Sequence, residues 1–375
     1  MCQTLGATAT TAAVITSAPA NTIEKTRGSQ PVMRTVSATV VAVSVQFGSP
    51  GVCSGTVIVM SRFPVKPFRF GVQLSVSPDR NHWVEQAKKI ESLGYDIATM
   101  PDHFGDQLAP VPALQTILDS TTTLRASALV FDNDYKHPVV LAKELATMDV
   151  LSDGRVEIGL GAGWMISDYE QAGIQYDRPG IRIDRFIEGL HIIKSAMTEG
   201  PFSHDGEHYT ITNYDGFPKP VQNPHPPIII GGGGKRVLTI AAQQADIVGV
   251  NGSLHAGVIG PDAIATMTGE VISDKVALVA NVAEASGRLE KIEMNIRTFF
   301  VSVTDDRAGQ VAGMAQMIGV TESMIEESPF ALIGSPDHMI ETLQARREQY
   351  GFSYVIVGPD ELEAFAPVVA ALAGQ

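Results

Sequence analysis

The chain has 375 residues, of which 44% are hydrophobic and 18% charged, and its formal net charge is −14. This composition provides a sizeable core, excludes a wholly disordered chain and disfavours a nucleic-acid partner, which would require a basic surface. No uninterrupted apolar run of about 18 residues occurs, so the sequence predicts no membrane partner.

The first 59 residues differ from the rest of the chain. They contain only four charged residues, Glu24, Lys25, Arg27 and Arg34, and both cysteines. We interpret residues 1–59 as a disordered tail or as a misassigned extension before a physiological start at Met60, and residues 60–375 as the folded domain. Because this domain has no cysteine, we predict a reducing compartment and a cytoplasmic protein.

Eight β-prone runs alternate with helical patterns in residues 60–375. The runs cover residues 68–74, 95–100, 125–131, 155–159, 228–230, 247–250, 295–303 and 352–357. Helical patterns cover residues 82–93, 113–122, 138–151, 183–197, 236–244, 274–286, 336–350 and 361–372, and a hairpin is predicted at 202–211. This order predicts an α/β fold. The length favours a (β/α)8 TIM barrel with insertions over an open sheet, although periodicity alone does not decide whether the sheet closes.

Catalytic residues of such a barrel lie at the carboxyl ends of its strands. Asp102 and His103 follow the second predicted strand, where they could bind a ligand and move a proton near neutral pH. The alternative for His103 is a loop histidine that bonds only to the backbone.

Three glycines follow the fourth predicted strand. Gly159, Gly161 and Gly163 are two residues apart, so in an extended chain they share one face. Such glycines allow a flat ligand to approach closely, or they mark a bulge at a barrel corner. The full dinucleotide spacing is absent, and we expect a loop after Met165 rather than a helix, which argues against a nicotinamide site.

A second glycine-rich segment, Gly231–Gly234, precedes the helix predicted at 236–244. Backbone N–H groups at a helix N-terminus bind anions, and glycines let a phosphate come close. Asn251 and Gly252, after the sixth predicted strand, offer further donors. These segments favour a phosphate site, with tight turns as the alternative. His204 and His208 lie in the predicted hairpin and do not match a helical zinc pair, so we predict no metal site.

Five segments together resemble the bacterial luciferase-like superfamily (LLM class) of flavin and deazaflavin oxidoreductases. They are FRFGVQ at 68–73, PDHF at 101–104, RVEIGLGAGW at 155–164, PPIIIGGGG at 226–234 and GSPDHMIETL at 334–343. The resemblance covers residues 68–372. It is strongest to the branch that uses coenzyme F420, and members that use flavin mononucleotide (FMN) share much of the pattern.

The resemblance implies a (β/α)8 barrel and assigns roles to several residues. Asp102 and His103 would lie near the deazaflavin ring, where His103 assists proton movement. Ala128 and Leu129 correspond to a non-prolyl cis peptide behind the ring. The remaining matches are Gly161 and Gly163, for close approach of the ring, and Gly232, Gly233, Asn251 and Gly252, for the phosphate tail.

Trp164 departs from one branch of the superfamily. It stands where the sugar-phosphate dehydrogenases of that branch carry a catalytic glutamate, and an indole cannot do acid–base chemistry. A sugar-phosphate substrate is therefore disfavoured, and an aromatic-walled pocket formed by Trp164 and Phe104 is expected to stack on the ligand.

The resulting prediction is an oxidoreductase that transfers a hydride between coenzyme F420 and a small organic substrate. One alternative is an FMN-dependent luciferase-like monooxygenase. An alternative of another class is a non-catalytic barrel that binds a cofactor or acts as a structural partner. The family's habit of pairing also implies a homodimer.

Overall fold

The computed structural model describes residues 60–254, 257–258 and 260–375. Residues 62–375 form one folded unit. The interpretation of residues 1–59 lies outside the described residues and stays a prediction.

Strands and helices alternate along most of this unit. The strands are β1 (Arg69–Gln73), β2 (Ile97–Met100), β3 (Arg125–Ala128), β4 (Phe131–Asp132), β5 (Ile158–Gly161), β6 (Phe202–Asp205), β7 (Thr210–Tyr214), β8 (Ile228–Gly232), β9 (Ile247–Val250), β10 (Glu293–Arg297), β11 (Phe300–Val303), β12 (Ala331–Gly334) and β13 (Phe352–Val357). The helices are α1 (Arg80–Ser92), α2 (Pro110–Ser120), α3 (Pro138–Leu151), α4 (Ile166–Ala172), α5 (Pro179–Met197), α6 (Lys235–Gln244), α7 (Pro261–Ala265), α8 (Gly269–Ala285), α9 (Arg307–Ile318), α10 (Glu322–Glu327), α11 (Pro336–Tyr350) and α12 (Ala366–Leu372).

Nine parallel strands form the main sheet, in the order β3-β2-β1-β13-β10-β9-β8-β5-β4. The end strands β3 and β4 are consecutive pieces of one barrel position, so the sheet returns on itself. The Ala126 N–H donates to the Arg155 carbonyl at 3.0 Å, and the Glu157 N–H donates to the Ala126 carbonyl at 3.0 Å. These bonds close a ring of eight positions, which confirms the (β/α)8 barrel and decides against the open sheet.

The sixth and eighth predicted strands have the same bounds in the structure, the first, second and fifth differ by two residues at most, and the third, fourth and seventh differ by more. The third ends at Ala128 and resumes as β4. The fourth runs later than predicted, because the glycine-rich Ile158–Gly161 segment keeps a parallel ladder with β8. The seventh divides at Arg297, after which β11 pairs with β12 in a separate two-stranded sheet. The predicted hairpin is present as β6 and β7.

Helix ends follow the local signals of the sequence. In α1, Asp79 caps the first turn by accepting from the His82 N–H at 2.9 Å, and Trp83, Ala87 and Ile90 form the buried face. Helices α4, α7, α9 and α10 were not predicted, and α12 begins at Ala366 rather than at residue 361. Helices α4, α7 and α10 have only 7, 5 and 6 residues, and α9 buries only Val311 and Ala315, so none of the four shows a clear helical periodicity in the sequence. None of the helices in the described ranges is long and apolar enough to cross a membrane.

An ion-pair cluster occupies the amino ends of the barrel strands. Glu157 is 1% exposed and accepts from Arg69, from Arg125 Nε at 2.9 Å and from the Tyr354 hydroxyl at 3.4 Å. Arg69 also pairs with Glu293 at 2.9 Å. Buried charges require such partners, and the cluster fills the end of the barrel opposite the carboxyl ends of the strands.

Candidate active site

A cavity of about 390 Å³ opens at the carboxyl ends of the barrel strands. Ten of the eleven residues that the sequence analysis assigns to catalysis or cofactor binding line it, whereas Gly159 and Phe104, which the sequence also singled out, do not. The ten are Asp102, His103, Leu129, Gly161, Gly163, Trp164, Gly232, Gly233, Asn251 and Gly252. The structure therefore brings together five segments that lie far apart in the sequence, while the roles assigned to these residues stay predictions.

Ala128 is the eleventh of these assigned residues, and it does not line the cavity. It is fully buried in β3 and pairs with Met100 of β2. The non-prolyl cis peptide lies between Leu129 and Val130, one bond later than expected. The β2–β3 ladder continues through Ala128, so the strand departs from regular geometry only after it, and Leu129 and Val130 form the cavity wall.

His103 is held by a carboxylate that sequence reasoning missed. Its Nδ1 lies 2.6 Å from Oδ2 of Asp168, a buried residue in the first turn of α4. Asp168 also accepts from the Tyr135 hydroxyl at 3.1 Å and from the Phe104 N–H at 3.2 Å. A carboxylate at Nδ1 places the proton there. Nε2 has no hydrogen-bond partner among the described residues, so it is available to a ligand.

Trp164 packs edge-on against this histidine, with ring centroids 5.5 Å apart. Phe104 stacks on Tyr135 at 4.5 Å but does not line the cavity, so the expected aromatic wall is formed by Trp164 and by Phe299 after β10. One sequence feature could have identified Asp168 as a candidate site residue: its position in the first turn of a short helix that is terminated by Gly173.

Two neighbouring aspartates connect the loops after β2 and β4. The Asp132 N–H donates to Oδ2 of Asp102 at 3.1 Å, and Asp132 accepts from the Tyr169 hydroxyl at 2.8 Å. Burial raises the pKa of Asp132 to about 7, and burial also raises the pKa of Asp102. Asp102 therefore fixes the backbone beside the cavity, and Asp132 is a cavity-lining group that titrates near neutrality.

Five glycines, which we call the glycine wall, line the cavity and also pack closely against the protein: Gly161, Gly163, Gly232, Gly233 and Gly252. A Cβ atom at Gly161 would lie 2.6 Å from Val130, and one at Gly163, where φ is +73°, would lie 1.8 Å from the Tyr169 hydroxyl. The glycine residues are thus required by internal packing, and they leave the wall free of side chains.

The other half of the glycine wall lies at the start of α6. This helix has no side-chain cap at Gly234, so its first backbone N–H groups are left available for an anion. A Cβ atom at Gly233 would lie 2.0 Å from the Gly252 carbonyl oxygen. The loops after β8 and β9 therefore lie in close contact at these two glycines. Lys275 donates to the Asn251 carbonyl at 2.7 Å, and burial lowers the pKa of this lysine to about 8.

The histidines of the hairpin lie outside the cavity. His204 Nε2 lies 3.1 Å from Oε2 of Glu188, and the Glu188 carboxylate also accepts backbone N–H bonds from the hairpin, including that of His208 at 3.1 Å. In the part of the chain that the structure describes, no three His, Cys, Asp or Glu residues are grouped so that they could hold a metal ion.

Comparison with known proteins gives one family and a consistent fold. The sequence model of the family described as luciferase-like monooxygenase matches residues 60–329. An FMNH(2)-dependent dimethylsulfone monooxygenase of Pseudomonas putida is 27% identical over 202 residues, which cover 50% of this chain and 54% of that protein. The chain spans about half the length of the curated relatives it matches.

Two solved structures share the fold over most of the chain. The coenzyme F420-dependent tetrahydromethanopterin reductase of Methanopyrus kandleri has a TM-score of 0.66 at 20% identity, covering 81% of this chain and 97% of that one. An F420-dependent secondary alcohol dehydrogenase, solved with an F420–acetone adduct, has a TM-score of 0.67 at 17% identity, covering 82% and 99%.

Proposed function

The chain belongs to the luciferase-like monooxygenase family, and from this premise we propose that it is an oxidoreductase that transfers a hydride between coenzyme F420 and a small organic substrate. The observation that carries the proposal is the imidazole of His103 in the cavity, with Nδ1 bound to Asp168 and Nε2 available to a ligand. This arrangement provides a proton donor beside a wall that has no side chains.

The residues present fit a flavin-type cofactor. The glycine wall and Leu129 offer backbone and apolar surface to a flat ring, which suits a planar tricyclic group. The uncapped start of α6, together with Asn251 and Gly252, would hold the phosphate of its tail. We assign the same residues to the cofactor whether the ring is a deazaflavin or a flavin.

When bound, a reduced deazaflavin would supply a hydride to an unsaturated carbon of the substrate. His103, protonated on both ring nitrogens, would donate its Nε2 proton to the oxygen or nitrogen attached to that carbon, which would complete a two-electron, two-proton reduction and leave the neutral imidazole with its proton on Nδ1. Asp168 keeps the imidazole in position and stabilises its protonated form, and Trp164 limits access of water from one side. In the reverse direction, His103 accepts the proton.

An FMN-dependent monooxygenase is the second candidate, because the Pseudomonas putida relative is named as FMNH(2)-dependent. Titration of the purified full-length chain with F420 and with FMN, followed by absorbance and mass measurement of the retained cofactor, separates the two. We expect F420 to be retained and FMN to be lost on desalting. Retention of FMN alone would replace the hydride-transfer proposal with the monooxygenase.

A non-catalytic barrel is the candidate of another class. It predicts that no small-molecule substrate oxidises reduced F420 in the presence of the protein, and that His103→Ala changes nothing measurable. The proposed homodimer is tested separately by light scattering of the full-length chain, because a dimer can form with or without catalysis.

A further inference from the structure

Two arginines line the cavity, and their surroundings differ. Arg182 is 3% exposed and gives its donors to backbone carbonyls, with Nε 3.3 Å from the Ala162 oxygen, Nη2 3.4 Å from the Gly163 oxygen and Nη1 bonded to the Asp177 carbonyl. Its guanidinium is therefore used to support the glycine turn after β5, and it offers little to a ligand.

Arg297, the last residue of β10, keeps donors free. Its Nε donates to Oε1 of Gln73 at 2.6 Å and its Nη1 donates to the Thr298 carbonyl. No carboxylate of the described ranges lies within ion-pair distance of Arg297, and its Nη2 has no hydrogen-bond partner there. Five N–H donors make up a guanidinium, so the two N–H groups of Nη2 are left to donate charge-assisted hydrogen bonds to an anionic ligand.

The charge of Arg297 is poorly compensated by the protein. Burial lowers the pKa of its guanidinium to about 10, with only the more distant Asp360 acting in the opposite direction. A buried cation without an anion is costly. At the wall of a ligand cavity, this cost is relieved when the ligand itself brings the negative charge.

The cavity that Arg297 lines is largely apolar. The Phe299 ring centroid lies 5.4 Å from the Arg297 Cζ atom, and Leu129, Val130 and Trp164 line the same cavity. An anion bound at Arg297 would therefore be attached to an apolar or aromatic body rather than to a sugar.

We propose that Arg297 binds the carboxylate of the substrate, and that the substrate class is small organic acids with an apolar or aromatic body. That the bound acid is a substrate rests on the proposed function. The anion site itself rests on the free donors of Arg297. The cofactor phosphate remains assigned to the start of α6.

The test compares an acid with its neutral counterpart in the full-length chain. Benzoate and benzamide are titrated while tryptophan fluorescence is recorded, because Trp164 lines the cavity whereas Trp83 is buried under α2. We expect the wild type to bind benzoate about tenfold or more tightly than benzamide, the range of a charge-assisted hydrogen bond. Arg297→Gln should remove this preference, and Arg297→Lys should keep part of it.

Two controls make the result specific. Arg80→Gln removes an exposed arginine at the start of α1 and should change neither affinity. Trp164→Phe should abolish the fluorescence response, which places the signal in the cavity. Thermal unfolding of Arg297→Gln verifies that this variant is folded, and benzamide affinity equal to that of the wild type verifies that the cavity is intact.

Several outcomes overturn the inference. They are equal binding of benzoate and benzamide by the wild type, no binding of benzoate at all, or an equal loss of both ligands in Arg297→Gln. Competition by inorganic phosphate that disappears in Arg297→Gln would assign the site to the cofactor phosphate instead. Failure of F420 and FMN to bind, with the benzoate preference present, would sink the proposed function and leave the anion site standing.

Discussion

Nδ1 of His103 lies 2.6 Å from Oδ2 of Asp168, although the two residues are 65 positions apart in the sequence. The contact links the loop after β2 to the first turn of α4. It gives His103, which lines the cavity, a defined orientation and an anionic neighbour, and the first prediction concerns this pair.

We expect His103→Ala to lower kcat for F420-linked turnover by ~10²- to 10⁴-fold, the usual contribution of a general acid. Asp168→Asn should lower kcat by a smaller factor and leave KM nearly unchanged, because the imidazole keeps a possible hydrogen-bond partner at Nδ1 but loses its anionic neighbour. His82→Ala, on the exposed part of α1, serves as the control. An unchanged kcat in Asp168→Asn would exclude this positioning role.

Substitution of two glycines with positive φ distinguishes the cost of backbone strain from the cost of a steric clash. Gly173 (φ +70°) has no atom within 4 Å of its Cβ position, whereas a Cβ atom at Gly163 (φ +73°) would lie 1.8 Å from the Tyr169 hydroxyl. In denaturant unfolding, Gly173→Ala should lower the free energy of unfolding by about 1 kcal/mol. Gly163→Ala should lower it by about 3 kcal/mol and weaken cofactor binding. Equal losses would mean that the packing around Gly163 is not tight.

We expect the buried carboxylate of Glu157 to make a large contribution to the free energy of unfolding through the ion-pair cluster at the amino ends of the barrel strands. Glu157→Gln removes the anion shared by Arg69 and Arg125, and we expect a loss of about 3–5 kcal/mol in the free energy of unfolding. Glu363→Gln breaks an exposed pair with Lys89 and should cost ~1 kcal/mol at most. The comparison fails if both substitutions have the same small effect in urea titration.

We expect the ionisation of Asp132 to lower the free energy of unfolding as the pH rises. Its pKa in the folded protein, about 7, is above the ordinary aspartate pKa of 3.8, so between these values the folded state binds more protons than the unfolded state. The free energy of unfolding therefore decreases from about pH 4 to about pH 7 through this group. Asp132→Asn should reduce this decrease in unfolding curves at several pH values, whereas Asp106→Asn, at an exposed position, should reproduce the wild-type slope.

The barrel could be predicted because its strands are short apolar runs bounded by turn residues. Residues 352–357 illustrate this, since β13 occupies the same range and is buried along its whole length. The fourth strand was placed too early, because glycine has a low strand propensity, and the ladders with β8 and with β4 keep Gly159 and Gly161 in the sheet. That ladder is a tertiary contact, which local reasoning does not contain.

The cavity-lining residues were found from glycine and histidine motifs, but two functional candidates were not. Asp168 meets His103 through the turn of α4, and no sequence spacing announces that contact. Arg297 lay inside a predicted strand, where an arginine is usually read as a solvated residue, and its free donors become visible only when the neighbours of β10 are known. Local sequence patterns do not show which side chains meet across the barrel.

The glycine wall also limits how the pocket could be redesigned. Neighbouring protein atoms already occupy the space that a methyl group would need at each of its five positions. Engineering of substrate choice would therefore begin at Trp164 and Phe299, the bulky aromatic side chains that line the same cavity. A library of variants at these two positions would change the shape of the cavity and would leave the strands and the glycine wall unchanged.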